Sequence, residues 1–128
     1  GVVTVDRLVA TNGANSVFTF NGGVINSAAS TVTNGLSPFA VGNGTTAATY
    51  HLLRGIHSFA SGLRVRNNAS LSGCGTINGG VGVDAGGTVL ADCGGTLNFN
   101  GVLTMRHLRR PSPRRLFLPR SRLRRRPR

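Results

Sequence analysis

Cys74-Gly75-Thr76-Ile77-Asn78-Gly79 returns further along the chain as Cys93-Gly94-Gly95-Thr96-Leu97-Asn98. The cysteines stand 19 positions apart (93 − 74) and the Thr, apolar and Asn positions 20 apart (97 − 77), with one glycine inserted. Leu71, Ile77, Val83 and Val89 recur at intervals of six between these landmarks. Around them lie short runs of β-branched and apolar residues: Val2 to Val5, Val17 to Phe20, Leu63 to Val65, Val81 to Val83, Thr88 to Leu90 and Thr96 to Phe99. Several alternate, so one side chain in two can point inward. Six Asn-Gly pairs, at 12, 21, 34, 43, 78 and 100, break the chain with the positive φ angles that tight turns require. Helices do not survive such interruption.

Strands this short, at this spacing, are too brief for an ordinary antiparallel sandwich. A period near 20 is one coil of a parallel β-helix, and stacked coils bury an apolar column that no single coil buries alone. The expected fold is therefore all-β, a β-solenoid of about five coils over residues 1–105, about 24 Å long at the usual strand spacing. Phe18-Thr19-Phe20-Asn21 parallels Leu97-Asn98-Phe99-Asn100 at close to four periods and is read as an equivalent rung. Inward candidates are Val17 or Phe18, Phe20, Val24, Phe39, Val41, Leu52, Ile56, Phe59, Leu63, Val65, Leu71, Ile77, Val81, Val83, Val89, Leu97 and Phe99. Each contributes about 1.5 to 3 kcal/mol when fully buried. The strand edges at the two ends are expected to fray or to self-associate.

The charge divides the chain of 128 residues and net charge +12 into two unlike parts. Residues 1–105 hold Arg7, Arg54, Arg64 and Arg66 against Asp6, Asp84 and Asp92, while residues 106–128 lose Gly, Asn, Thr and Val altogether. That second segment carries Arg106, Arg109, Arg110, Arg114, Arg115, Arg120, Arg122, Arg124, Arg125, Arg126 and Arg128. Pro111, Pro113, Pro119 and Pro127 block a helix there and like charges repel, so the expectation is a disordered tail. Two readings of it stand. It is a sequence-blind, salt-sensitive arm for nucleic acid or another polyanion, or it is the product of a shifted reading frame through GC-rich repeat DNA.

Two cysteines permit one disulfide and lack the further ligands of a tetrahedral zinc site, so no metal and no cofactor are expected. On neighbouring coils Cys74 and Cys93 would have Cα atoms near the inter-strand distance of roughly 4.8 Å, inside the range of about 4.4 to 6.8 Å that a bridge accepts. Two reduced, stacked thiols at a corner are the alternative. No run approaches the roughly 20 apolar residues of a membrane-spanning helix. The segment starts at Gly1, so any export signal would lie outside it.

Catalytic residues are not expected. Asp84, in Asp84-Ala85-Gly86-Gly87, and Asp92, before Cys93, sit in turn contexts where a carboxylate binds nearby backbone N–H groups. His51 and His57 flank Arg54 with no acid or nucleophile in their segment and read as solvated or capping imidazoles. Ser58 and Ser72-Gly73 lack a nucleophile-elbow pattern. Gly79-Gly80-Val81-Gly82 is followed by no helix that would complete a phosphate cradle. Arg64 and Arg66, either side of Val65, are expected on one outward, solvated face, with an anionic-glycan site as the alternative.

The stretches Ala48 to Ala60 and Asn67 to Gly79, with their Gly-Thr-apolar-Asn rungs and the Asp84-Ala85-Gly86-Gly87-Thr88 turn, resemble the autotransporter-type β-helix repeats of bacterial cell-surface and secreted proteins. The resemblance covers roughly residues 15–104. It implies a right-handed parallel β-helix stalk, export from the cell and no assigned catalytic residue. The expected function is a non-enzymatic structural or adhesion segment of an extracellular protein. Its partners would be the rest of that protein and a glycan or host surface. Polyanion binding through the tail and a polysaccharide-acting enzyme are the alternatives.

Overall fold

The computed structural model describes residues 1–11 and 17–106. The chain winds through strands of three to five residues. The first coil gives β1 (Val2–Val5) and β2 (Leu8–Ala10); the second gives β3 (Gly23–Ser27), β4 (Ser30–Val32) and β5 (Phe39–Val41). The third gives β6 (Ala48–Leu52), β7 (Ile56–Phe59) and β8 (Leu63–Val65), and the fourth β9 (Ala69–Gly73), β10 (Gly75–Asn78) and β11 (Val81–Val83). The last gives β12 (Thr88–Leu90), β13 (Leu97–Phe99) and β14 (Leu103–Met105). The described residues contain no helix.

Among the described residues every strand pairing is parallel and joins one coil to the next, which makes three faces. The first face runs β1-β3-β6-β9-β12, the second β2-β4-β7-β10-β13 and the third β5-β8-β11-β14. This is a parallel β-solenoid, as the repeat demands, of about four turns where about five coils were expected. The mean coil is about 22 residues rather than 20. Individual steps differ widely, from 18 between Ser70 and Thr88 (88 − 70) to 27 between Ser30 and His57. The strands hold register while the corners absorb the difference.

The longer coil corrects the pairing of the signature repeat without changing its sense. Ile77 and Leu97 lie on adjacent rungs, but Gly75 pairs with Leu97 and Ile77 with Phe99. A shift of two residues leaves every side chain on its own face of the sheet; a shift of one would have inverted them all. The parallel between residues 18–21 and 97–100 does not hold. Phe20 bridges to Val41 on the third face, whereas Leu97–Phe99 is β13 on the second. Val17 to Phe20 forms no strand, because the Phe18 N–H donates to Asn34 Oδ1 at 2.6 Å and so leaves the ladder.

The lumen is a set of stacked columns. Ile25, Tyr50, Leu71 and Val89 form one, and Phe39, Leu63, Val81 and Leu103 another. Phe39 stacks on Phe18 and Phe59 at centroid distances of 5.4 and 5.7 Å, while the Tyr50 ring meets Phe39 edge-on at 5.8 Å. Such pairs contribute about 0.5 to 1.5 kcal/mol each beyond area burial. Of the inward candidates, Val17 and Ile56 are exposed and Val24 only half-buried. Ile25, Val32, Ala48, Tyr50, His57 and Ala69 join the core beyond the inward candidates.

The corners explain the glycines and asparagines. Gly73 ends β9 at φ +106°, and a Cβ there would lie 2.0 Å from the Leu52 carbonyl oxygen, so only glycine lets the first face turn into the second. The Asn-Gly pairs at 78 and 100 turn parallel corners rather than hairpins. They sit one above the other, with Asn100 Nδ2 donating to Asn78 Oδ1 at 2.7 Å.

Candidate functional site

Three groups of polar side chains are brought together by the coiling. The first lies in the lumen. On β4, β6 and β7, Ser30, Tyr50 and His57 all point inward and are almost wholly buried. His57 Nε2 lies 2.8 Å from the Arg54 carbonyl oxygen, which can only accept, so the proton sits on Nε2. Nδ1 is then the acceptor for Ser30 Oγ at 2.8 Å, and Ser30 in turn accepts from the Tyr50 hydroxyl. The chain Tyr50 to Ser30 to His57 to carbonyl satisfies each proton with one acceptor. Burial lowers the His57 pKa, opposed by the Arg54 carbonyl. Burial also raises that of Tyr50, opposed by the Ser30 and Ser27 hydroxyls. The expectation of a solvated His57 is therefore overturned, because Phe59 and His57 are two apart on one strand and must share the inner face. Its bond to a backbone carbonyl matches the capping reading.

The second group gathers outside the corner between the first and second faces. His51 Nδ1 lies 2.9 Å from Ser72 Oγ and 4.0 Å from Asp92 Oδ1. No acid neighbours His51 in sequence; the coil supplies one from two rungs away. Both partners meet the same ring nitrogen, so this is not a nucleophile–base–acid relay, in which hydroxyl and carboxylate engage opposite nitrogens. Cys74 and Cys93 occupy the same corner on successive rungs as a disulfide pair, Cα atoms 5.9 Å apart.

The third group is on the outer surface of the third face. Val65, Val83 and Met105 are in register, so the residues that follow them, Arg66, Asp84 and Arg106, form a column. Their backbone N–H groups continue the ladder: Arg66 to Val41, Asp84 to Val65 and Arg106 to Val83, at 3.1, 2.8 and 2.7 Å. Arg64 joins from mid-strand, with Nε 3.0 and 3.1 Å from the two Asp84 oxygens, and Arg66 Nε lies 3.3 Å from Oδ2. Arg66 Nε is buried and makes no aligned hydrogen bond. The turn reading of Asp84 holds for its main chain, whose carbonyl accepts from Gly87 at 2.9 Å. Its carboxylate, however, serves two guanidinium groups instead of backbone amides. Arg64 and Arg66 do share one face, but through an acid the linear reading had assigned elsewhere.

Beside this column runs a groove of about 500 Å³ along β8, β11 and β14. Gly62, Gly80 and Val102 line it from the strand starts, Gly82 and Thr104 from mid-strand, and Asp84 and Arg106 from the strand ends. Small residues make it: the outward mid-strand column reads Ala40, Arg64, Gly82, Thr104. Of the arginines proposed for polyanion binding, Arg106 borders this groove. Arg109, Arg110, Arg114, Arg115, Arg120, Arg122, Arg124, Arg125, Arg126 and Arg128 lie outside the described residues. No protein-family model matches the chain, and no curated protein or solved structure is significantly similar to it.

Proposed function

We propose that the coiled body is a rigid, non-enzymatic rod segment of an exported surface protein, whose work is to hold apart and present the parts joined to it. The observation that carries this reading is the unbroken inward column Ile25-Tyr50-Leu71-Val89, one side chain per rung, which ties four coils into one body. A packed interior with a fully partnered polar chain resists bending, because close-packed cores transmit strain rather than absorb it. The pairing of Cys74 with Cys93 across successive rungs favours an oxidising compartment. Edges of β1 and β12, each paired on one side only among the described residues, would take the rest of a longer solenoid or a second copy.

The test places the full chain between two fluorescent domains and measures energy transfer in single molecules. One narrow distance that persists up to the unfolding transition is expected. A broad distribution overturns the rod, and turnover of a polysaccharide lost on Asp84→Asn overturns the non-enzymatic reading. Mass measurement of the chain recovered from its source, with and without reductant, should show a two-hydrogen difference; free thiols would remove the support for export.

A further inference from the structure

We propose that the groove on the third face is a binding site for an acidic oligosaccharide, one bearing carboxylate or sulfate groups on an extended chain. The inference is independent of the rod reading, since a rod needs no groove.

Charge sets the sign of the ligand. Arg64 and Arg66 both pair with the single acid Asp84, and Arg106 lines the same groove, so this cluster of three arginines and one acid keeps an excess of two positive charges. Among the described residues Arg64 donates only through Nε, and its side chain is 42 % exposed, which leaves its terminal amino groups for a ligand. A guanidinium fork is suited to carboxylate and sulfate oxygens in particular.

Spacing argues for a chain rather than a lone anion. Arg64 on β8 and Arg106 just past β14 both line the groove and stand two rungs apart, with Asp84 on the rung between them. At the inter-strand spacing that is roughly 9.6 Å, too far for one tetrahedral anion to bridge and suited to successive acidic groups on a polymer. Strand pairing argues against a peptide. β8 and β11 are each hydrogen-bonded on both edges, so this surface offers no free ladder for an added strand. Recognition must come from side chains meeting hydroxyl and acid groups, and the exposed Thr104 hydroxyl adds a neutral partner within the groove.

Gly82 supplies the test. A Cβ built there meets nothing within 4 Å, and its φ is not in the left-handed range, so Gly82→Leu keeps the fold and fills the groove. The full ¹⁵N-labelled chain would be titrated with a tetragalacturonate, a sulfated heparin tetrasaccharide and neutral maltotetraose, following the amides of Gly62, Gly80 and Gly82. These report on the groove separately from any binding by residues 107–128. One or both acidic sugars should move them, maltotetraose should not, and which acid acts identifies the ligand group. Gly82→Leu and Arg64→Gln should each weaken the effect about tenfold, the loss expected for a charge-assisted contact, while amides of β6 and β9 stay in place. Binding that leaves the groove amides unmoved overturns the proposal. So does an equal response to inorganic phosphate or to a phosphopeptide, or a Gly82→Leu variant that binds as well as the parent.

Discussion

Ser30 Oγ stands 2.8 Å from His57 Nδ1 inside the solenoid, on neighbouring strands of the second face and 27 positions apart in the chain. Burial favours the neutral imidazole, and with Nε2–H committed to the Arg54 carbonyl its Nδ1 accepts from Ser30, whose next acceptor, Ser27 Oγ, is farther away at 3.5 Å. A polar cluster in the lumen thus fixes one protonation state and one direction of donation. Hydrogen bonds inside such a low-dielectric space are strong when complete and costly when broken.

That arrangement makes stability depend on pH. His57 has a folded pKa below its ordinary value, so at a pH beneath about 6.5 the unfolded chain takes up a proton the folded chain refuses. Stability is full above that pH, falls with acid by up to about 1.4 kcal/mol per unit, and levels off below the folded pKa. Tyr50 acts at the other end: its raised pKa means that above about 10 the unfolded chain ionises first and stability falls again. Urea unfolding at pH 5 to 8 should show the acid loss, and His57→Gln should flatten it. An unchanged slope in the variant would remove His57 from the explanation.

Ser30→Ala deletes the middle of the relay. His57 Nδ1 loses its donor and Tyr50 is left with the Ser27 hydroxyl alone, each in a site closed to water. The expected cost is about 2 kcal/mol or more, since an unsatisfied buried polar group costs about 1 to 3 kcal/mol. The midpoint of denaturant unfolding measures it. Ser58→Ala on the outer surface of the same stretch should stay within about 0.5 kcal/mol of the parent.

Ile56 and Phe59 lie three apart on β7 and so fall on opposite sides of the sheet, 58 % and 2 % exposed. Phe59→Ala should cost about 3 to 5 kcal/mol through the cavity it leaves, and Ile56→Ala about 0.5 kcal/mol or less. A larger loss at Ile56 than at Phe59 would mean that the strand presents its other face to the lumen.

Gly73 and Gly82 should respond in opposite ways to the same methyl group. Gly73→Ala forces a Cβ into the Leu52 carbonyl at φ +106° and should cost more than about 2 kcal/mol, with strain and contact combined. Gly82→Ala meets open space in a strand and should be neutral or stabilise by roughly 0.5 kcal/mol, as the unfolded chain loses freedom. Paired thermal melts decide both.

The sequence by itself determined the architecture. Repeated Gly-Thr-apolar-Asn units and frequent Asn-Gly corners leave only a stacked parallel coil, because strands this short bury apolar surface only against copies of themselves. Leu63–Val65 and Val81–Val83 were legible as strands with Leu63, Val65, Val81 and Val83 inward, since alternation on one strand needs no partner to be read. The corners were not legible in length, so the coil came out nearer 22 than 20 and Ile77 met Phe99 rather than Leu97. Tertiary structure alone decided which polar groups meet. Strand alternation with Phe59 sends His57 into the lumen and alternation with Tyr50 and Leu52 keeps His51 outside, but nothing local joins Asp84 to Arg64 and Arg66 or Asp92 to His51. Those contacts bridge coils, and a difference of one residue in a corner would have turned each side chain to the other face.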